Sequence, residues 1–299
     1  MKPPIDLADK GAEVEEWLDL RFFRPLGYWI AKALQPTRVS ANQVTLWSLA
    51  TGLVAGHLFY YAGPWPGALG FVLFIISDIF DSADGQLARL RSVDSRFGRI
   101  VDGLADNLRF ANLYLTLMAR LAVQGRNWFD LLLVLAAGLS QSLQGTSVDF
   151  IRLSFLSLGP GHREPVELPE EVAVPRQGSL FQKLAAVAYR AYVRRQSWMF
   201  PRSMELERRL RQGLLPEQEI RSCRLRQRAV VNLCAWQGHN IRFGLLGAAA
   251  VLGWIEGYLW VTVTVMNILL LVSVALYEGN ARNLLETVRS DALVTVAES

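Results

Sequence analysis

Long runs of apolar residues, separated by short polar segments, dominate the pattern along this chain. A helix needs about 20 predominantly apolar residues to cross the hydrocarbon core of a bilayer. Six stretches approach that length, and we place them near 43–62, 64–81, 98–119, 129–149, 240–257 and 259–280. The pattern therefore predicts an all-α integral membrane protein with six transmembrane helices.

Positively charged residues mark one side of this predicted arrangement. With the N-terminus inside, the three outer loops fall near 62–64, 120–128 and 257–259. Arg120 and Arg126 are the only Lys or Arg residues in those loops, whereas 151–230 contains fifteen Lys and Arg residues against eight Asp and Glu residues. Because cytoplasmic loops carry an excess of Lys and Arg, both termini are expected in the cytoplasm. In a bacterium the protein would lie in the cell (inner) membrane.

The composition agrees with a membrane location and narrows the chemistry. Charged residues make up 19% of the chain, against about 25% in soluble domains. The net charge of +4 is typical of basic loops beside anionic lipid, and nucleic acid is not expected as a partner. Two cysteines, Cys223 and Cys234, support neither a disulfide framework nor a Cys-rich zinc site.

The segment 1–40 precedes the first predicted span and has an amphipathic pattern. Aromatic and aliphatic residues alternate there with Arg21, Arg24 and Lys32. This pattern indicates a helix in the headgroup layer of the membrane, broken or bent near Pro25. A soluble helix packed on the protein is the alternative.

The segment 151–238 separates the first four spans, in 41–150, from the last two spans and the C-terminal tail, in 239–299. It begins with several prolines and continues as two arginine-rich amphipathic stretches. We therefore expect a cytoplasmic helical insert. A solvated basic face would explain its arginines, and contact with anionic lipid or a phosphorylated substrate is the alternative.

Aspartates cluster at one end of the second and third predicted spans. An ionised Asp at the centre of a membrane helix costs about 2.5–3.5 kcal/mol, so a cation is needed to offset the charge. Asp81 and Asp84 are three residues apart, and Asp102 and Asp106 are four apart, so each pair shares a helix face. Antiparallel helices around a short inner turn would aim all four carboxylates at one point. Such oxygen ligands suit Mg²⁺, Mn²⁺ or Ca²⁺.

Small residues and an arginine accompany these aspartates. Gly85, Ala88 and Gly98 leave room for the close approach of a large ligand, and Arg89 supplies a cation that can hold a phosphate. Together these features suit phosphoryl transfer, in which a carboxylate takes the proton of an attacking hydroxyl. The alternative, that each Asp only caps a helix, would suit one Asp better than four at these spacings.

The segment as a whole resembles a known signature. It reads Asp81-x2-Asp84-Gly85-x2-Ala88-Arg89-x8-Gly98-x3-Asp102-x3-Asp106. At every defined position this resembles the 26-residue signature of the CDP-alcohol phosphotransferase family. The resemblance implies a homodimeric six-helix membrane fold with two divalent ions at the cytoplasmic end, Mg²⁺ or substituting Mn²⁺. It also implies that Asp81, Asp84 and Asp102 are metal ligands, and that Asp106 is both a ligand and the general base.

The resemblance further implies a nucleotide site. Its residues would be Asn42, Thr45, Asp84, Gly85, Ala88, Arg89 and Gly98. Asn42 and Thr45 enter because Ser40-Ala41-Asn42-Gln43-Val44-Thr45 is similar to the family's Pro-Asn-x-x-Thr, although Ala41 stands where Pro is common. Ser40 or Asn42 as a simple helix cap is the alternative.

Three further polar residues are candidates for the site. Asp78 either supports the motif from one turn before it or only marks a helix end. His239 resembles part of the Thr-His region of choline and ethanolamine phosphotransferases, although the Thr is absent. Arg242, like Arg282, either extends from a span end to the interface or holds a phosphorylated acceptor.

The implied activity is the transfer of a substituted phosphoryl group from a CDP-alcohol to a hydroxyl acceptor, with release of CMP, in phospholipid biosynthesis. We favour CDP-diacylglycerol as the donor; the transfer of a CDP-linked head group to a lipid alcohol is the alternative. A cation-coupled transporter would spread its carboxylates along a pathway. A prenyl-transferring enzyme would carry two acidic motifs far apart in sequence, and a catalytically inactive scaffold would not need the intact motif.

Overall fold

The computed structural model describes residues 13–93, 96–159, 166–173 and 179–297. Within these ranges the regular structure is helical, and they contain no strand, which confirms the predicted all-α class. The α-helices are α1 (Arg24–Leu34), α2 (Ala41–Leu58), α3 (Pro64–Leu90), α4 (Arg96–Val123), α5 (Trp128–Ser157), α6 (Leu180–Met199), α7 (Pro201–Arg211), α8 (Glu217–Cys234), α9 (His239–Val251), α10 (Ile255–Val263) and α11 (Val265–Ala297). Single helical turns of other types occur at Asp19–Phe23, Pro169–Glu171 and Ala235–Gln237.

Three stretches of the described residues are long and apolar enough to cross a membrane. They are Pro64–Leu90, Trp128–Ser157 and Ile255–Ser290. The protein is therefore a membrane protein, and the count of six spans stays a prediction. Helix α9 has only 13 residues, a rise of about 20 Å, because the left-handed backbone of Gly253 (φ 68°) follows its end. Helix α4 is long enough to cross a membrane, but its first half contains the charged residues Asp102, Asp106 and Arg109.

The N-terminal helix α1 packs closely against α3. A Cβ atom added to Gly27 would lie 2.7 Å from Ser82 Oγ, so this approach of the two helices requires glycine. The side chain of Arg91 donates hydrogen bonds to the carbonyls of Leu34 (2.7 Å) and Thr37 (3.0 Å), which closes the C-terminal end of α1. The outer side of this region exposes aromatic side chains, including Trp29. One face is thus packed on the protein, and the headgroup-layer location of the other stays a prediction.

Helix α2 begins at a capping box and then packs on α3 through serines. Gln43 N donates to Ser40 Oγ (3.3 Å), and Ser40 N donates to Gln43 Oε1 (2.8 Å), which satisfies backbone donors at the helix start. Further along, Ser77 Oγ donates to Ser48 O (2.8 Å), and Ser48 Oγ donates to Ser77 O (2.9 Å). These two reciprocal bonds fix α2 against α3 close to the aspartates.

The chain divides into two compact units. The first runs to Ser142 and includes His239–Val265, and the second comprises Leu143–Gly238 and the chain from Met266 onward. In the first unit, buried aromatic and aliphatic residues of α2, α3, α4 and α9 form the apolar core; Phe74 and Phe243, for example, stack with ring centroids 4.9 Å apart. This core supports the helix ends that carry the aspartates.

The second unit is built around the arginine-rich helices. Its core contains Leu158, Leu206, Leu210, Leu215, Cys223, Ala281 and Leu284. The carboxylate of Glu278 in α11 accepts hydrogen bonds from Arg202 N (2.8 Å), Ser203 N (2.9 Å) and Ser203 Oγ (2.6 Å). These donors lie in the first turn of α7, where backbone N–H groups lack helical partners. Glu278 therefore anchors the start of α7.

Candidate active site

Three aspartates from two helices meet in the first unit. Asp81 and Asp84 lie toward the end of α3, and Asp102 lies in the first turns of α4. One carboxylate oxygen from each residue lies within 4.8 Å of the others. Like-charged carboxylates repel one another at this separation, so the arrangement calls for a cation between them.

Asp84 is the most deeply placed of the three. Its side chain is buried, and its Oδ2 has no hydrogen-bond partner among the described residues. The Thr45 side chain of α2 interacts with the same carboxylate. A buried carboxylate oxygen without a partner is costly, and coordination of a metal ion would satisfy it. Because the donors are all carboxylate oxygens, the site fits a hard divalent cation such as Mg²⁺.

Asp106 has a different immediate partner. Its carboxylate forms an ion pair with Arg109, one turn further along α4. The same guanidinium pairs with Asp78 (3.0 Å) and Asp81 (3.2 Å) of α3. Asp106 is thus joined to Asp81 through Arg109, and the roles predicted for it stay a prediction.

Arg109 is the central residue that the sequence reasoning missed. Its side chain is 3% exposed, and its Nη1 donates hydrogen bonds to Ser77 Oγ (2.7 Å) and Ser48 Oγ (3.3 Å). An arginine inside a predicted span needs a partner, and Arg109 lies three residues after Asp106 on the same helix face. That spacing was the available signal.

The charges of this cluster do not balance. Among its described residues, the buried guanidinium of Arg109 pairs with the three carboxylates of Asp78, Asp81 and Asp106. Two more carboxylates, those of Asp84 and Asp102, lie beside Asp81. A low-dielectric environment makes such an excess of negative charge unfavourable unless a cation offsets it. The cluster is therefore suited to bind cations.

Gly85, one of the small residues of the motif, borders open space. A Cβ atom added to Gly85 would have one described side chain within 4 Å, the Nη1 atom of Arg89 at 3.7 Å. Ala88, Arg89 and Gly98 are half-buried. A ligand can therefore approach the backbone of α3 beside Arg89.

The predicted residues at the start of α2 differ in exposure. Ser40, rather than Asn42, is the helix cap. Asn42 is exposed, while Thr45 is buried and its Oγ1 donates to Ala41 O (3.2 Å). Only Thr45 of these residues interacts with an aspartate of the cluster.

The remaining candidates lie apart from the three clustered aspartates or support them indirectly. Asp78 is a partner of Arg109. The His239 ring packs edge-on against Phe110, with centroids 5.3 Å apart. Arg242 is buried in α9, whereas Arg282 is exposed and pairs with Glu286 (2.6 Å).

Comparison with known proteins agrees with this geometry. The sequence model of the family described as CDP-alcohol phosphatidyltransferase matches residues 38–151, which include all five aspartates and Arg109. The segment 38–151 is therefore similar to this family, in agreement with the resemblance drawn from the sequence.

A curated relative matches a shorter stretch. It is a CDP-diacylglycerol–glycerol-3-phosphate 3-phosphatidyltransferase of Cereibacter sphaeroides, 40% identical over 58 residues, which are 19% of this chain. The match spans 26% of that protein's length. The similarity thus concerns a segment of each protein.

Proposed function

We propose that this protein transfers a substituted phosphoryl group from a CDP-alcohol to a hydroxyl acceptor and releases CMP, in phospholipid biosynthesis. The meeting of Asp81, Asp84 and Asp102 oxygens within 4.8 Å of one another is the observation that carries this proposal. The family match over 38–151 supports it. Carboxylates clustered at one place suit an enzyme site better than the extended pathway of a transporter.

We favour CDP-diacylglycerol as the donor. The curated relative is named for this donor and for glycerol 3-phosphate as the acceptor, and a related polyol or polyol phosphate is a suitable acceptor class for this chain. The alternative is that the donor is a CDP-linked head group and the acceptor is a lipid alcohol.

Asp81, Asp84 and Asp102 would hold divalent cations, with Asp106 completing the set for two ions. Mg²⁺ is the expected ion, and Mn²⁺ the expected substitute. When bound, such ions neutralise the diphosphate and make its phosphorus more open to attack. The unpartnered Asp84 Oδ2 fits this role.

The side chains of the chain itself account for the rest of the reaction. Asp106 accepts the proton of the acceptor hydroxyl as the hydroxyl oxygen forms its bond to phosphorus. The bond from that phosphorus to the bridging diphosphate oxygen breaks, and CMP leaves. Arg109 orients Asp106, because the guanidinium is itself fixed by Ser77 and Asp78. Oriented in this way, Asp106 needs little reorganisation to accept the proton.

Donor binding falls to the residues around Gly85. Arg89 offers a planar fork of donors to the diphosphate, and Gly85, Ala88 and Gly98 leave room for the nucleotide. Asn42 and Thr45 at the start of α2 would hold it from the other side. The site and both termini would face the cytoplasm of a multi-pass homodimer in the cell (inner) membrane.

The test is an assay of the purified full chain in lipid nanodiscs. Candidate CDP-alcohols and acceptors are combined in pairs with Mg²⁺, and CMP and lipid products are measured. We expect CMP release that requires both a CDP-alcohol and an acceptor, stops with EDTA and returns with Mg²⁺ or Mn²⁺. CMP release that persists without divalent metal, or its absence with every donor, would overturn the proposal.

A further inference from the structure

Helix α6 has two apolar faces, and only one of them is buried. Ala185, Ala186 and Val193 are buried. The opposite face is apolar at its centre: Leu180, Leu184, Val187 and Trp198 are 73%, 59%, 54% and 77% exposed. These four residues share a face, because their spacings of four, three and eleven residues match about one, one and three helical turns. We call them the α6 outer stripe.

Basic residues border the α6 outer stripe. Lys183, Arg190 and Arg194 are exposed and lie along one edge of the stripe at helical spacing. The sequence of α6 contains no Asp or Glu. A helix surrounded by water would place charged residues opposite its buried face, whereas α6 places Lys183, Arg190 and Arg194 along one edge of its exposed apolar face. Exposed apolar residues flanked by cations are typical of helices that lie in the membrane interface.

The contacts of α6 show where it meets α5. Tyr192 Oη donates to Asp149 Oδ2 (2.9 Å), and the ring of Phe200, directly after α6, stacks on Phe150 with centroids 4.3 Å apart. Tyr192 and Phe200 are eight residues apart, a rise of about 12 Å along a helix, but their partners are neighbours on α5. Helix α6 is therefore held against α5 at Asp149 and Phe150.

The level of this contact on α5 matches the edge of a bilayer. Asp149 follows Trp128, the first residue of α5, by 21 residues, a rise of about 31 Å. The hydrocarbon core of a bilayer is about 30 Å thick. With Trp128 at one edge of the hydrocarbon core, the residues of α6 that contact α5 at Asp149 lie near the opposite edge.

We propose that α6 is a lipid-binding helix whose outer stripe inserts at the boundary of headgroups and acyl chains. Lys183, Arg190 and Arg194 then contact the phosphates of anionic lipids, for which their charge is complementary. This surface lies outside the aspartate motif, and the proposal stands whether or not the proposed reaction is correct. Its occupant is the anionic lipid of the membrane that holds the protein.

A spin label at Val187→Cys in the full chain tests this proposal. The native thiols do not compete for the label: Cys223 and Cys234 are buried, and burial raises the pKa of the Cys223 thiol to about 11. The labelled protein is placed in nanodiscs of phosphatidylcholine with or without phosphatidylglycerol. Collisions with oxygen, which concentrates in lipid, are compared with collisions with a water-soluble nickel complex. A label at Leu225→Cys, which is exposed on α8, serves as the comparison for the label at 187.

With phosphatidylglycerol, we expect the label at 187 to be open to oxygen and shielded from nickel. Replacing Lys183, Arg190 and Arg194 by Gln should lower the preference for the lipid-bound position by about a hundredfold, since each basic residue near an anionic surface contributes about fivefold. Replacing Arg221, Arg226 and Arg228 of α8 by Gln changes the net charge equally and should leave the label at 187 unaffected.

Two outcomes would overturn the proposal. If nickel reaches the label at 187 freely in both lipid mixtures, the outer stripe faces water. Shielding from both oxygen and nickel would show that a second copy or another protein covers it. The comparison of the two lipid mixtures uses labelled protein in which Lys183, Arg190 and Arg194 are unchanged. Its outcome therefore does not depend on whether the charge variants fold.

Discussion

Charged side chains are organised in opposite ways in the two units of this molecule. In the second unit, several arginines form ion pairs near the surface: Arg208 pairs with Glu170 (3.0 Å), and Arg209 pairs with Glu205 (3.0 Å). In the first unit, Arg109 is shared by three carboxylates, and two more lie beside them. The ion pairs of the second unit are largely exposed, whereas the cluster of the first unit has more carboxylates than Arg109 can pair with and is largely buried.

This difference separates charges that support structure from charges that support chemistry. Exposed ion pairs contribute about 0–1 kcal/mol each, so the second unit would lose little from any one of them. Buried carboxylates in excess are unfavourable unless a cation joins them. The first unit therefore retains an arrangement that costs stability, and such an arrangement is typical of a functional site.

The largest effect is expected from Asp106→Asn, which removes the proposed base and keeps the shape of the side chain. General-base catalysis contributes about 10²–10⁴-fold, so CMP release should fall by that order. Asp130→Asn is the matched control, because Asp130 pairs with Arg126 in the first unit (3.3 Å) outside the aspartate cluster. Turnover of Asp106→Asn close to that of the control would remove Asp106 from the mechanism.

Next is Arg109→Leu, which leaves the carboxylates of Asp78, Asp81 and Asp106 without their shared partner. Removing one partner of a buried ion pair lowers the free energy of unfolding by about 3–5 kcal/mol. This loss should appear as a lower unfolding midpoint in detergent. Mg²⁺ should raise the midpoint of the variant more than that of the unmodified protein, since it offsets the same charge. Arg208→Leu, which breaks an exposed pair, should cost at most about 1 kcal/mol.

Equal losses in Arg109→Leu and Arg208→Leu would contradict the distinction between the two units. A midpoint of Arg109→Leu that does not respond to Mg²⁺ would separate Arg109 from the cation site while leaving its structural role in place.

Local spacing was sufficient to predict that acidic residues would cluster at the ends of two neighbouring helices. The intervals within Asp81/Asp84 and Asp102/Asp106 are properties of a single helix, so the sequence alone indicated two acidic faces, and the structure brings Asp81, Asp84 and Asp102 together. The all-helical class followed from the long apolar runs in the same way.

Tertiary contacts explain what the sequence did not reveal. Arg109 bridges α4 to α3 and α2, and its partners depend on how these helices are rotated about their axes, which periodicity does not specify.

The predicted span 240–257 extends past the end of α9 at Val251, since the left-handed backbone of Gly253 interrupts an otherwise apolar run. A single local backbone conformation outweighed the hydropathy pattern there.

A smaller effect is expected from Gly52→Ala. The added Cβ would collide with the aliphatic part of Arg109 and lie 2.9 Å from Ser77 Oγ. Such overpacking costs about 1–3 kcal/mol and should also slow CMP release, because Arg109 orients Asp106. Gly244→Ala is the control, since no heavy atom of the described residues lies within 4 Å of its added Cβ. Unchanged activity in Gly52→Ala would show that Asp106 does not depend on the position of Arg109.

The smallest effect is expected in the second unit, from Glu278→Gln. The carboxylate of Glu278 accepts three hydrogen bonds at the start of α7, and its charge is favourable at a helix N-terminus. Its neutralisation should cost about 0.5–2 kcal/mol, as for the loss of a helix cap, measured as a shift of the unfolding midpoint. Glu217→Gln, which removes an exposed pair with Arg221, should cost less. Because this charge supports structure alone, CMP release per folded molecule should stay unchanged, and a loss comparable to that of Asp106→Asn would place chemistry in both units.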